Sequence, residues 1–329
     1  MTVTAPTIDE VRELRQALGA SIERTPLLRC AGIESAVGRG TTVYGKLEFL
    51  QRTGTFKARG ALSVLRSLPA DQRSGGVTAV SAGNHAIAVA FAAQATGTDA
   101  KVVMTASANP ARVAAAKAFG AEIVVADDVH KAFEIAERIQ DEERRFFVHP
   151  FEGKPVATGT GTVGLEICEQ CGEFDALLVA VGGGGLIGGI ANVVRQLRPD
   201  CEIIGVEPEG ANSMRLSLAA GEPRSIDKVR SIADSLGAPF AMPYSFALCR
   251  RNVDRIVEVS DLAMRKTMGF LFRSMKMAVE PACAATTAAL LGPLRDDLQG
   301  KRVALVFCGS NIDWSTFESQ AILEGSDVA

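Results

Sequence analysis

The chain reads as an α/β protein of two domains, with open, twisted, mostly parallel sheets flanked by helices, and three observations predict this. From residue 40 onward, short runs rich in valine and isoleucine alternate with helical stretches. The cores of several runs, such as the "ALLVAV" of 176–181 and the "VALVFC" of 303–308, are continuously apolar rather than alternately apolar and polar, as strands covered on both faces require. Glycine-rich or polar loops follow several of them directly, and such sheets bind ligands at the carboxyl ends of their strands.

In chain order, the predicted strands are "TVYGKLEF", "GVTAV", "AKVVM", "AEIVVA", "RFFVH", "DALLVAV", "EIIGVE", "RIVEVS" and "RVALVFC". Each is short, β-branched and bounded by turn residues. Between them lie "GNHAIAVAFAAQATG", "NPARVAAAKAFG" and "HKAFEIAERIQDEE", which have helical composition. The four strand–helix units from Gly76 to about Pro150 predict a small mobile domain over 76–150. It is inserted into a large domain made of 1–75 and 151–329. No internal repeat or low-complexity linker interrupts this pattern.

Bulk properties narrow the function. A net charge of −3 and an aromatic content of 5% disfavour nucleic acid and anionic membrane as partners, leaving a small molecule. No apolar run approaches the roughly 18 residues of a membrane span. The start, "MTVTAPTIDEVRELRQALG", lacks the basic and apolar regions of a signal peptide. Seven scattered cysteines form no disulfide framework, so a cytoplasmic location is expected. Cys168 and Cys171 have CxxC spacing, but no further pair of ligands accompanies them.

Four stretches carry chemistry. In "LLVAVGGGGLIGGIANVVRQL" a strand ends at Val181, four glycines follow, and a helix begins near Leu186. Consecutive glycines let backbone N–H groups converge on an anion, and the helix dipole adds to that pull. The motif lacks the GKS/T ending of a nucleoside-triphosphate loop. Its GxGxxG-like spacing leaves a dinucleotide open. In "VTAVSAGNHAIAVAFAAQ", Ser81 and Asn84 begin a helix as caps or as part of a second anion site suited to a carboxylate. In "RVALVFCGSNID", Cys308 ends a buried strand at the ligand-facing edge. In "TGTFKARGA", Lys57 falls in the first turn of a helix, where the dipole favours its free amine. That form is the one a nucleophilic or Schiff-base lysine needs.

Taken in order, "TFKARGA", "SAGNHA", "VGGGGLIGG" and "FCGSNID" resemble the fold-type II pyridoxal-phosphate enzymes, the tryptophan synthase β-like fold. Within that group they look like the threonine/serine dehydratase and serine racemase branch. "ERTPLL", "GVEPEGANS", "SIADSLG" and "VEPA" extend the resemblance over nearly the whole chain. The resemblance implies that Lys57 holds pyridoxal 5′-phosphate through a Schiff base, with Phe56 beside the ring. Asn84 would bond the ring's phenolic oxygen. Gly182, Gly183, Gly184, Gly185 and the Leu186 amide would bind the phosphate. Ser81, Asn84 and His85 would grip the substrate carboxylate, and Cys308 would face the pyridine nitrogen. It further implies loss of the β-hydroxyl from a 3-hydroxy amino acid, yielding a 2-oxo acid and ammonia, in a homodimer or homotetramer.

Departures from the branch sharpen the expectation. Racemases carry a serine where this chain has Ala82, so elimination is expected and racemisation is not. The branch's cation site maps to Glu207, Ala211 and Ser213; one carboxylate suits potassium better than magnesium or manganese. The chain ends soon after "FCGSNID", so no isoleucine-responsive regulatory domain is expected. L-threonine and L-serine are the default substrates. A 3-hydroxyaspartate would need a distal cation, for which His130 and Lys131 are the candidates. Ser235, in place of the branch's usual glycine, borders the cofactor pocket and keeps ectoine-derived substrates open. A nicotinamide oxidoreductase would leave Lys57 idle, and a non-catalytic cofactor-binding protein would have no need of the full set.

Overall fold

The computed structural model describes residues 3–323. Among these residues ten strands form two sheets. The larger sheet has β1 (Leu27–Arg29), β2 (Thr42–Leu47), β7 (Ala176–Ala180), β8 (Glu202–Pro208), β9 (Arg255–Val259) and β10 (Arg302–Phe307), ordered β1-β2-β10-β7-β8-β9. The smaller has β3 (Val77–Val80), β4 (Ala100–Thr105), β5 (Glu122–Ala126) and β6 (Phe146–Phe147), ordered β5-β4-β3-β6. Every pairing is parallel except β1 with β2.

Nine of these strands coincide with the predicted runs; β1 was not foreseen. It has three residues, is half exposed, and lies at the sheet edge against β2. So short a run has no readable periodicity. The central strand β7 is buried along its whole length, which is why "DALLVAV" is continuously apolar.

One helix joins the two layers. Lys57–Ser67 buries eight consecutive residues, Ala58 to Leu65. Its Ala58, Ala61, Leu62 and Leu65 share a core with Val77 and Ala79 of β3 and with Val89 on the helix Asn84–Thr96. Its other side carries Arg59, fully buried among charges. Arg59 donates to Glu48 (Nε–Oε2 2.8 Å) and to Glu166 (Nη1–Oε1 2.8 Å), on the helix Lys154–Cys171. Lys46 on β2 donates to Glu166 at 2.6 Å and to the Thr25 carbonyl at 2.7 Å. Burial alone would raise the Glu166 pKa, yet Arg59 and Lys46 hold it below the ordinary carboxylate value. Two cations and two carboxylates thus neutralise each other beneath the helix that begins with Lys57.

Candidate active site

A cavity of about 430 Å³ opens between the sheets, beside the carboxyl ends of β3, β7 and β10. It is where a parallel α/β architecture places a ligand. Phe56, Lys57, Ser81, Asn84, His85, the four glycines 182–185, Leu186 and Cys308 all line it, although they come from four separate stretches of chain. Glu207, Ala211 and Ser213 do not line it, and neither do His130 and Lys131.

Lys57 is the first residue of its helix. Its Nζ donates to the Pro150 carbonyl at 2.7 Å and lies 5.3 Å from the centroid of the Phe56 ring. Among the described residues no carboxylate pairs with it. Burial of the amine lowers its pKa to about 8, against a smaller opposing effect from Cys308. A neutral amine is therefore accessible at mildly alkaline pH.

The glycine loop leaves β7 and enters the helix Gly185–Leu197. Gly184 has φ +86°, a conformation L side chains rarely adopt. A Cβ on Gly185 would lie 2.7 Å from the Phe151 backbone. Among the described residues, no protein acceptor takes the amides of residues 182–187. The loop therefore presents consecutive free N–H groups at a helix N-terminus, which fits a phosphate without any lysine or arginine beside it.

Asn84 begins its helix, and its side chain is the hub of a network. Its Nδ2 donates to Glu280 (Oε2, 2.9 Å) and to Ser235 (3.1 Å), and its Oδ1 accepts from Asn311 at 2.9 Å. Glu280 also accepts from the Ser235 hydroxyl at 2.7 Å and from the Asn311 amide at 2.8 Å. Arg112 crosses from the smaller sheet's helices, donating to Asp234 and to the Asn311 carbonyl. Ser235, noted in the sequence as a departure, thus completes the shell of a buried carboxylate.

His85 is buried, with Nε2 2.8 Å from the Val148 carbonyl. Burial and the nearby Lys57 lower its pKa to about 3, so the ring is neutral and Nε2–H donates. The ring is thereby committed to Val148, and the loop's backbone remains for a carboxylate. Cys308 is buried beside Cys283, and that contact together with burial raises its thiol pKa well above the usual value. A neutral thiol at the strand end fits an unprotonated pyridine nitrogen.

Sequence reasoning missed several lining residues. Glu280, within "VEPA", carries one signal in the sequence, its position before a proline that opens a buried helix, Pro281–Leu291. His149, Pro150 and Phe151 follow β6 in a segment with no regular period. The His149 Nδ1 accepts the amides of Phe151 (3.2 Å) and Glu152 (3.0 Å), and its ring meets Phe151 edge-on with centroids 4.6 Å apart.

The remaining expected positions lie elsewhere. Glu207 is fully buried, and its carboxylate accepts the Met214 and Arg215 amides at 2.9 and 2.8 Å, capping the helix Ser213–Ala220. Ser213 donates to the Ala238 carbonyl at 3.0 Å. Lys131 is exposed and paired with Glu134 at 2.7 Å. On the same helix, Val129 and Phe133 line the cavity instead. Cys168 and Cys171 fall on the last turn of Lys154–Cys171 as free thiols, with burial raising both to about 11.

Comparison with known proteins agrees with this geometry. Residues 19–309 match the family model described as pyridoxal-phosphate dependent enzyme. Phenylserine dehydratase from Ralstonia pickettii is 50% identical over 316 residues, covering 96% of each chain. L-threo-3-hydroxyaspartate ammonia-lyase from Saccharomyces cerevisiae is 36% identical, covering 95% of each. The structure of maize serine racemase superposes with a TM-score of 0.91 at 32% identity, covering 96% of this chain and 97% of that one. A whole-length match, an amine without a counter-ion and a glycine loop with free amides agree: this chain belongs to the pyridoxal-phosphate dependent enzymes.

Proposed function

We propose that the protein eliminates water from a 3-hydroxy amino acid with an apolar, ring-sized substituent on its β-carbon, of which 3-phenylserine is the reference compound. The products are a 2-oxo acid and ammonia. One observation carries this choice over threonine and serine: Val129, Phe133, Phe151 and Phe240 share one cavity with Lys57. Methyl or hydrogen substituents would leave that apolar surface unfilled. The 50% identity to a phenylserine dehydratase supports the same choice. A 3-hydroxyaspartate is disfavoured, since Lys131 is paired outside the cavity and Arg112 is held by Asp234.

When bound, pyridoxal phosphate supplies an electron sink for the charge that develops at the substrate Cα. The protein's own groups do the rest. Lys57 would hold the cofactor and, as a free amine, would take the Cα proton, a task its lowered pKa suits; the resulting ammonium would pass that proton to the β-hydroxyl, which leaves as water. The free amides of residues 182–187 would hold the phosphate, and the loop from Ser81 to His85 would hold the substrate carboxylate. The cavity-lining Ala82 has no atom that exchanges a proton, so protonation from that face is not supported, and racemisation is not part of the proposal. The experiment is a panel of 3-hydroxy amino acids assayed for ammonia and 2-oxo acid, with the enantiomeric purity of recovered substrate followed in parallel.

The same reading includes a monovalent cation at Glu207, the Ala211 carbonyl and Ser213, and a homodimeric or homotetrameric, cytoplasmic enzyme. Seven free cysteines support a reducing compartment. For the cation, replacing potassium by tetramethylammonium at constant ionic strength is expected to lower kcat several-fold. Unchanged kcat would remove the site from the proposal.

A further inference from the structure

We propose that Phe133 and Val129 from one side of the cavity, and Phe240 and Phe151 from the other, form a two-sided clamp that selects substrates by an aromatic β-substituent. The proposal rests on the reading above and names the residues that set its specificity.

The helix Val129–Glu143 is amphipathic, and it buries Ala132, Ala136 and Ile139. Val129 and Phe133, four residues apart, share another face, which turns to the cavity. They are 52% and 45% exposed, and Phe240 is 39% exposed. Large apolar side chains scattered singly need no explanation; three converging on one cavity mouth form a patch, and such patches mark ligand contacts.

The two sides differ in rigidity. A Cβ on Gly183 would lie 2.4 Å from the Phe151 ring, and one on Gly185 2.7 Å from its backbone, so the glycine loop packs directly on Phe151. His149 stands against that ring at an interplanar angle of 88°, itself fixed by two backbone amides. The Phe240 ring lies 6.3 Å from Phe151, at 53°. Phe151 is therefore a fixed wall and Phe240 its outer edge. Phe133 and Val129 belong to the smaller sheet's layer and face them as the opposing jaw. An aryl ring between the two would have aromatic side chains on both sides and would cover apolar surface that is otherwise wet.

The variants are Phe133→Ala and Phe240→Ala, with Phe133→Leu as the conservative control; Phe151 is left alone because the glycine loop packs on it. In the holoenzyme, kcat/KM for 3-phenylserine is expected to fall about 10- to 100-fold in each alanine variant. For serine it should stay within about threefold. Phe133→Leu should recover most of the loss. Titration calorimetry supplies a readout independent of turnover: wild-type holoenzyme should bind L-phenylalanine more tightly than L-alanine, and each alanine variant should lose that preference. Equal losses for both substrates, or a preference that survives the substitutions, overturns the clamp. If wild type releases no 2-oxo acid from 3-phenylserine yet shows a phenylalanine preference that the variants lose, the clamp stands and the substrate reading fails.

Discussion

Lys57→Ala should reduce kcat by at least about 10³-fold and abolish covalent attachment of the cofactor. After borohydride reduction, wild type should gain the mass of the cofactor and the variant should not. The size of the effect follows from the absence of a substitute. Of the other titratable groups lining the cavity, His85 and His149 are kept neutral by burial, with pKa values lowered to about 3 and 4; Arg112 and Asp234 are tied to each other, Glu280 is engaged by Asn84, Ser235 and the Asn311 amide, and the Cys308 thiol is held protonated beside Cys283. The substitution should cost little stability. Among the described residues the amine's one hydrogen bond is to the Pro150 carbonyl, and removing a desolvated amine relieves a penalty as well. A melting temperature near that of wild type would show that the lost activity is chemical. In wild type the capture of added cofactor by apoenzyme should quicken with pH and level off above about 8, because only the unprotonated amine reacts. A variant that still binds the cofactor covalently would place the reactive amine elsewhere.

Arg59→Ala should be the most damaging substitution outside the cavity. Its guanidinium makes paired bonds to Glu48 at 2.8 and 2.9 Å and to Glu166 at 2.8 and 2.9 Å, all without solvent contact. Removing it leaves Glu166 to Lys46 and leaves the buried Glu48 carboxylate with the Thr25 hydroxyl as its remaining side-chain partner among the described residues. Breaking such a group from one side costs about 3–5 kcal/mol. The consequence in urea is an unfolding midpoint shifted to lower concentration with the slope preserved. Arg59→Lys should recover only part, because an ammonium cannot bridge two carboxylates in the guanidinium's planar geometry. A midpoint within error of wild type for Arg59→Ala would mean that the cluster is energetically neutral.

These two residues also show what the sequence makes legible. Lys57 and Arg59 are two positions apart in "TFKARGA", yet only Lys57 invites a functional reading. The role of Arg59 depends on Glu48 and Glu166, the latter 107 residues away, and an arginine in a helix ordinarily reads as solvated. The long parallel strands were legible because burial on both faces leaves an unbroken apolar run, whereas the short edge strand β1 left no such trace. The glycine loop, the asparagine loop and Cys308 were legible because each directly follows a strand. Glu280, His149, Phe151 and Phe240 come from irregular segments or helix starts, and only the folded chain brings them to the cavity. That Val129 and Phe133 meet the cavity, where His130 and Lys131 were the expected candidates, is set by the rotation of one helix, which composition alone does not fix.

The most direct test of the central claim is the steady-state kcat/KM of the wild-type holoenzyme for 3-phenylserine, threonine and serine, read as ammonia and 2-oxo acid in equal amounts. The apolar cavity surface predicts that 3-phenylserine exceeds both others by at least about tenfold, and that recovered substrate keeps its configuration. Preferred turnover of serine or threonine, or accumulation of the opposite enantiomer at a comparable rate, would contradict the account.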